Sequence, residues 1–265
     1  MACEMCDRNP EGANLSKYAQ QLLQNMRLSE ARIRHVQPLL TIRSFDEGAL
    51  IWARGGSVQA WNCVMTGYVA AAMPLQCGHR MPLHLYGPQA WFGEQVLVDG
   101  QPSDLDYICL TPVEVIGMSR TCLQETMREE PDFSAALLQL MARHARQHTA
   151  MLAMMRAGSS SLRLVMGLAQ FAEAQAPAPD LDVVDIPTGQ DQIAALCGVT
   201  RTLFSAGLQH LVKAGWVKVR YGAMELQSAQ AWRVFAQRQR DSPGLNSRAS
   251  MAELLSAMSR ARASH

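Results

Sequence analysis

The chain has 265 residues, 48% of them hydrophobic and 18% charged, with a formal net charge of +1 at pH 7. This composition excludes a disordered chain or a fibre, the length suits two domains, and the near-neutral balance means that any surface for nucleic acid must be local. The N-terminal Met-Ala-Cys-Glu-Met-Cys-Asp-Arg has no apolar core of the signal-peptide kind, and no later run of about 18 apolar residues suggests a membrane span, so a cytoplasmic protein without a membrane partner is expected.

Residues 14–39 place Leu15, Tyr18, Leu22, Leu23, Met26, then Ile33, Val36 and Leu39 at helical spacing, with a break between Arg27 and Ser29. Two short helices are predicted. From Thr41 to about Met118, short apolar or alternating runs are separated by Asp46-Glu-Gly48, Gly55-Gly56, Gly87-Pro88 and Asp99-Gly100, which is turn chemistry. A small antiparallel β-barrel is expected, forming a sensor unit over residues 1–130. Between Pro131 and Ala157 there is no further Gly or Pro, and Phe133, Leu137, Met141, His144, His148, Met151 and Met155 recur at spacings of four and three. That is the pattern of a coiled-coil seam. A helix of about 25 residues is roughly 37 Å long, more than one small barrel face usually covers, which favours dimerisation over packing on the chain's own barrel. Gly158-Ser-Ser-Ser161 then reads as a hinge, followed by a helix from Leu162 to about Ala174 and a polar loop, Ala176-Pro-Ala-Pro-Asp180.

A second domain is expected over 158–236. Its first helix, Gln190 to Leu196, stops at Gly198, and the turn Gly198-Val-Thr200 precedes a second helix from Arg201 to about Ala214. Glycine tolerates the positive φ of such a turn, and the Thr200 hydroxyl can cap the new helix. An ordinary helical hairpin has the same two helices, but here Gly215-Trp-Val-Lys-Val-Arg220, a turn at Tyr221-Gly-Ala223 and Met224-Glu-Leu226 follow as two short strands, a wing. From 186 to 240 the basic residues Arg201, Lys213, Lys218, Arg220, Arg233, Arg238 and Arg240 face only Asp191 and Glu225, a local net charge of +5. Such a surface suits phosphate binding. The expected class is therefore α+β: barrel, long dimerisation helix, winged helix-turn-helix, with a C-terminal extension at 237–265 whose amphipathic Met251–Met258 caps the wing domain, bridges subunits or is disordered.

In this order the elements resemble the cyclic-AMP receptor and fumarate-nitrate-reduction (Crp/Fnr) superfamily over about residues 35–235. The most specific strings are Trp91-Phe-Gly-Glu94 and Ile193-Ala-Ala-Leu-Cys-Gly-Val-Thr-Arg-Thr202 with Leu208, Leu211 and Gly215-Trp216. The resemblance implies a double-stranded β-helix of the cyclic-nucleotide-binding kind and a homodimer on a palindromic double-stranded operator, with RNA polymerase as a further partner. It places Arg201 and Thr202, after the cap Thr200, at the start of a recognition helix, with Ser205 and Gln209 one and two turns on, and Lys218 and Arg220 holding the wing on phosphates. Where well-known members carry an arginine, a glutamate and a second arginine, this sequence has Arg201, Thr202 and Ala206, so a different half-site is expected.

In nucleotide-binding relatives a Gly-Glu pair takes the ribose and an arginine about ten residues later takes the phosphate. Gly93 and Glu94 match the pair, but Asp104, next to Ser103, stands at the arginine position, and no arginine occurs between 81 and 119. A carboxylate repels phosphate, so an effector other than cyclic AMP is expected. The resemblance leaves a redox or gas sensor open. Seven cysteines, at 3, 6, 63, 77, 109, 122 and 197, predict free thiols; Cys3-Glu-Met-Cys6 supplies two ligands for an iron-sulfur cluster, short of the number that branch uses. Haem has candidate ligands in Cys77, His79, His84, His144 and His148. Met141, with Met151, Met154 and Met155, could line an adaptable apolar pocket beside His144 and His148, or simply fill core. No cofactor is required by the sequence. No paired carboxylates or activated nucleophile indicate an enzyme; the rival class is a dimeric protein-interaction module that does not bind DNA.

Overall fold

The computed structural model describes residues 10–174, 182–187, 189–242 and 248–263. Helices α1 (Pro10–Asn25) and α2 (Glu30–Val36) lead in, the second opened by Ser29, whose hydroxyl accepts from the Arg32 N–H at 3.3 Å. Eight strands follow: β1 (Thr41–Phe45), β2 (Leu50–Trp52), β3 (Ala60–Thr66), β4 (Val69–Pro74), β5 (Arg80–Tyr86), β6 (Trp91–Phe92), β7 (Asp106–Cys109) and β8 (Val113–Ser119), with α3 (Glu94–Asp99) between β6 and β7. They form two antiparallel four-stranded sheets, β1-β8-β3-β6 and β2-β7-β4-β5. The expected β-barrel is thus corrected. Among the described residues no ladder closes one sheet onto the other; successive strands alternate between the sheets except at the β4–β5 hairpin. Burial of one strand face gives the same period-two pattern in a closed barrel and in two packed sheets, so the sequence cannot separate them.

After α4 (Arg120–Glu129), the 27-residue α5 (Pro131–Ala157) runs past the sheets. Here the seam expectation also changes. Phe133, Leu137 and His144 are buried against the chain's own sensor unit, with Phe133 edge-on to Trp61 at 5.9 Å. A heptad pattern marks an apolar face without saying what covers it. The opposite side of α5 carries a second stripe at spacings of four and three, Leu138, Ala142, Ala145, Thr149 and Leu152, all exposed.

Beyond a two-residue break at Gly158 and Ser159 come α6 (Ser160–Ala174), β9 (Val183–Ile186), α7 (Gln190–Leu196), α8 (Arg201–Lys213), β10 (Val217–Arg220), β11 (Ala223–Gln227), α9 (Ala229–Asp241) and α10 (Met251–Ala263). The three strands pair in the order β10-β11-β9. Phe171, Phe204, Leu211, Trp216, Trp232 and Phe235 fill this second core, and Leu254, Met258 and Ala261 of α10 complete it. The extension therefore packs on its own domain, with the Arg262 guanidinium 5.3 Å over Trp216. Tyr68, Ala70 and Leu85, on the outer face of the second sheet, join the same core, with Tyr68 edge-on to Phe171 at 5.3 Å. The sheet is thus docked on the helices that follow. The polar loop expected at residues 176–180 lies outside the described residues, as do residues 243–247.

Candidate nucleic-acid interface and sensor interior

The turn between α7 and α8 is built by local rules. Cys197 ends α7, Gly198 takes φ +62°, and the Thr200 hydroxyl caps α8 by accepting from Leu203 N–H at 3.3 Å. A Cβ at 198 would collide with Met155 Cε, so the last turn of α5 rests directly on this turn. Phe204, Leu208 and Leu211 hold α8 in the core, which leaves Arg201, Thr202 and Gln209 exposed and Ser205 half-buried. Lys213, eleven residues after Thr202 and four after Gln209, shares their exposed face. Its four-residue spacing from Gln209 marks that face in the sequence as well.

The charges are less free than their number suggests. Arg201 Nε sits 2.9 Å from Asp191 Oδ1 and its Nη1 donates to Ser205 Oγ at 2.6 Å. Arg220 pairs with Glu225, which stands opposite Lys218 in the β10–β11 register. Arg240 is paired with Glu173, and Arg233 Nε donates to the Ala172 carbonyl at 2.7 Å. Asp191 is 86% exposed, so its hold on Arg201 is worth at most about 1 kcal/mol and yields to a phosphate or a base.

Within the sensor the expected pocket residues divide between two places. Gly93, at φ +91°, packs so closely on Trp52 that a Cβ would lie 2.6 Å from the ring. Glu94 is 2% exposed; its Oε1 lies 2.7 Å from His144 Nδ1, and its Oε2 has no hydrogen-bond partner among the described residues. Beside them Trp52, Tyr86, Phe92 and Tyr107 stack into a continuous aromatic cluster. Met141 is half-buried one turn before His144. Ser103 and Asp104 line a separate, open cleft with Arg54, Asp99 and Asp106. Ser103 is buried, its hydroxyl donating to Leu105 O at 2.7 Å, while Asp104 is exposed. One arginine just outside the 81–119 window reaches this cleft: Arg80 Nε is 2.7 Å from Asp106 Oδ2. Partial burial opposes ionisation of Asp106, but the Arg54 backbone N–H and the Arg80 guanidinium hold its carboxyl below the usual range. Arg80 is therefore already neutralised.

His84 lies 5.3 Å from His148 and 6.2 Å from His144, ring to ring. Burial, then the neighbouring His148 and His144, lower its pKa to about 3. The unfolded chain takes up this proton first, near the ordinary value of about 6.5. Stability is thus retained above pH 6.5 and lost as the pH falls towards 3, by about 1 kcal/mol per unit. Urea titrations of His84→Gln should show a shallower loss between pH 6.5 and 4.5 than the parent; equal slopes would remove His84 from this account. No group of three His, Cys, Asp or Glu among the described residues is arranged to hold a metal ion. Cys63, Cys109, Cys122 and Cys197 are buried free thiols and Cys77 is exposed at the β4–β5 turn; Cys3 and Cys6 lie outside the described residues.

Comparison with known proteins adds four findings. The profile described as Cyclic nucleotide-binding domain matches residues 42–130. The chain is 25% identical over 191 residues to the CRP-like cAMP-activated global transcriptional regulator of Mycobacterium tuberculosis, covering 71% of this chain and 83% of that protein. It is also 25% identical over 181 residues to the Global nitrogen regulator of Synechocystis sp., covering 67% and 80%. Among solved structures it shares its fold with FixK2 from Bradyrhizobium japonicum, at a TM-score of 0.64 and 18% identity over 73% of this chain and 95% of that one. No described helix is long and apolar enough to cross a membrane.

Proposed function

We propose that the chain is a member of the Crp/Fnr superfamily of transcription regulators, that it binds a palindromic DNA operator as a homodimer, and that it answers to an effector other than cyclic AMP. The observation that carries the reading is the exposed face of α8, with Arg201, Thr202, Gln209 and Lys213 presented behind a capped glycine turn and followed by the β10–β11 hairpin. This arrangement supports a winged helix-turn-helix, whose second helix would enter the major groove. Lys218 and Arg220 on the hairpin supply phosphate contacts. The stripe Leu138, Ala142, Ala145, Thr149 and Leu152 supports a two-fold partner on α5, which would set two α8 helices about 34 Å apart in successive major grooves. RNA polymerase is the expected protein partner of such a dimer at a promoter. The effector reading is supported by Asp104 at the phosphate position that the resemblance implies and by Glu94, whose Oε1 is taken by His144. Met155 against the Gly198 turn offers a direct route from α5 to the recognition helix.

Selection of genomic DNA fragments by the purified protein, followed by fluorescence anisotropy over a salt series, tests this. Retention should fall steeply with salt. Arg201→Ala is expected to weaken the selected site by about 1–3 kcal/mol, roughly 10- to 100-fold, while binding to random DNA changes little. Equal loss on both would make Arg201 a phosphate contact; no salt-dependent retention of any DNA would overturn the reading in favour of a protein-docking module.

A further inference from the structure

Between β5, the C-terminal half of α5 and helices α6 and α9 lies a cleft that the proposed DNA contacts do not use. Its apolar end, about 280 Å³, is walled by Met151, Met154, Leu162 and Met166, and it opens into a more polar chamber of about 420 Å³ beside Tyr86. Four polar side chains border both parts: His84, Gln147, Gln170 and Glu173. The charge of Glu173 is met by Arg240 on α9. Burial keeps His84 neutral. Gln170 differs, because its Oε1 and Nε2 are both buried and neither has a hydrogen-bond partner among the described residues.

A buried carboxamide left unmet is costly, and it offers an acceptor beside a donor. Thioethers are adaptable apolar walls, and clefts at domain junctions with a few convergent polar groups are where small molecules bind. We propose that this cleft is a binding site for a small uncharged molecule with an apolar body, held against Met151, Met154 and Met166, and an amide-like edge that pairs with Gln170 once its carboxamide, now occluded by packing, turns into the cleft. An anionic head is disfavoured at the apolar end, where the cation among the described lining residues, Arg240, is already paired with Glu173; Arg143 lines the polar chamber instead. The occupant would touch α5 before the Gly158 hinge and α6 and α9 after it. Binding would therefore bias the angle between sensor and recognition helix, a consequence that rests on the DNA-binding reading, whereas occupancy itself does not.

The test uses the full chain labelled with ¹³C-methyl methionine and benzamide as the probe, with benzoate and ethylbenzene as controls. Benzamide should shift the signals of Met151, Met154 and Met166 saturably, each assigned by its Met→Leu variant, and both controls should bind about tenfold more weakly. Gln170→Leu should cost benzamide about tenfold, and Gln170→Glu, which keeps the shape but replaces the donor, should do the same. The parent's methionine shifts need neither variant, so a misfolded substitution leaves the test intact. Absence of saturable shifts at these methionines up to the solubility of benzamide overturns the proposal, as does equal affinity of the parent and a folded Gln170 variant. These signals report occupancy without DNA, so failure of the DNA reading is separately visible.

Discussion

His144→Leu is expected to destabilise the protein by about 3–5 kcal/mol, measured by urea unfolding at neutral pH. In the parent, Glu94 on α3 and His144 on α5 meet at 2.7 Å with side-chain exposures of 3% and 9%. Leucine fills the space but leaves the Glu94 carboxylate buried with neither oxygen partnered among the described residues. Desolvating a charge without compensation is the costly case, much more so than losing an exposed ion pair. The double variant Glu94→Leu/His144→Leu removes the stranded charge as well, so it should recover most of the loss. A single variant within about 1 kcal/mol of the parent would show that the pair does not hold α5 against the sensor.

Gly167→Val is expected to cost about 3 kcal/mol, the upper part of the usual overpacking range. Gly167 lies inside α6 where that helix crosses the end of α7. A Cβ there would collide with Cys197 Sγ and lie 2.9 Å from Cys197 Cα, and Cys197 Sγ donates to the Leu164 carbonyl of α6 at 3.5 Å. The obstruction includes backbone, so no rotamer change relieves it. Because Cys197 immediately precedes the Gly198 turn, separation of α6 from α7 also tilts α8. Trp216 and Trp232, buried in this domain, give a fluorescence signal for its unfolding. The variant should unfold at lower urea and lose affinity for the selected DNA fragments; a loss below about 1 kcal/mol with DNA binding intact would mean that the two helices part easily.

Parts of the site were legible because they obey local rules. Gly198 at positive φ and Thr200 as a cap follow from residue type, and the face formed by Thr202, Gln209 and Lys213 follows from helical period. The neutralising partners of Arg201 and Arg240 were less so. Asp191 is ten residues from Arg201, and Glu173 is 67 residues from Arg240, so no short-range pattern links them. Likewise the heptad through Phe133, Leu137 and His144 showed an apolar face on α5, but a helix period is silent about which surface covers it, and here it is the chain's own N-terminal sheets and α3.

By itself the sequence determined the order of elements, the break at Gly158, and the glycine turn and cap before α8, because each depends on residue type or spacing within a few positions. Only the tertiary structure decided that the sheets stay open to each other, that Glu94 is met by His144 across 50 residues, that Arg80 is spent on Asp106, and that Gln170 faces a methionine-walled cleft. Those outcomes depend on which distant surfaces meet. Burial, charge pairing and unmet hydrogen bonds acquire meaning only once the chain has brought those surfaces together.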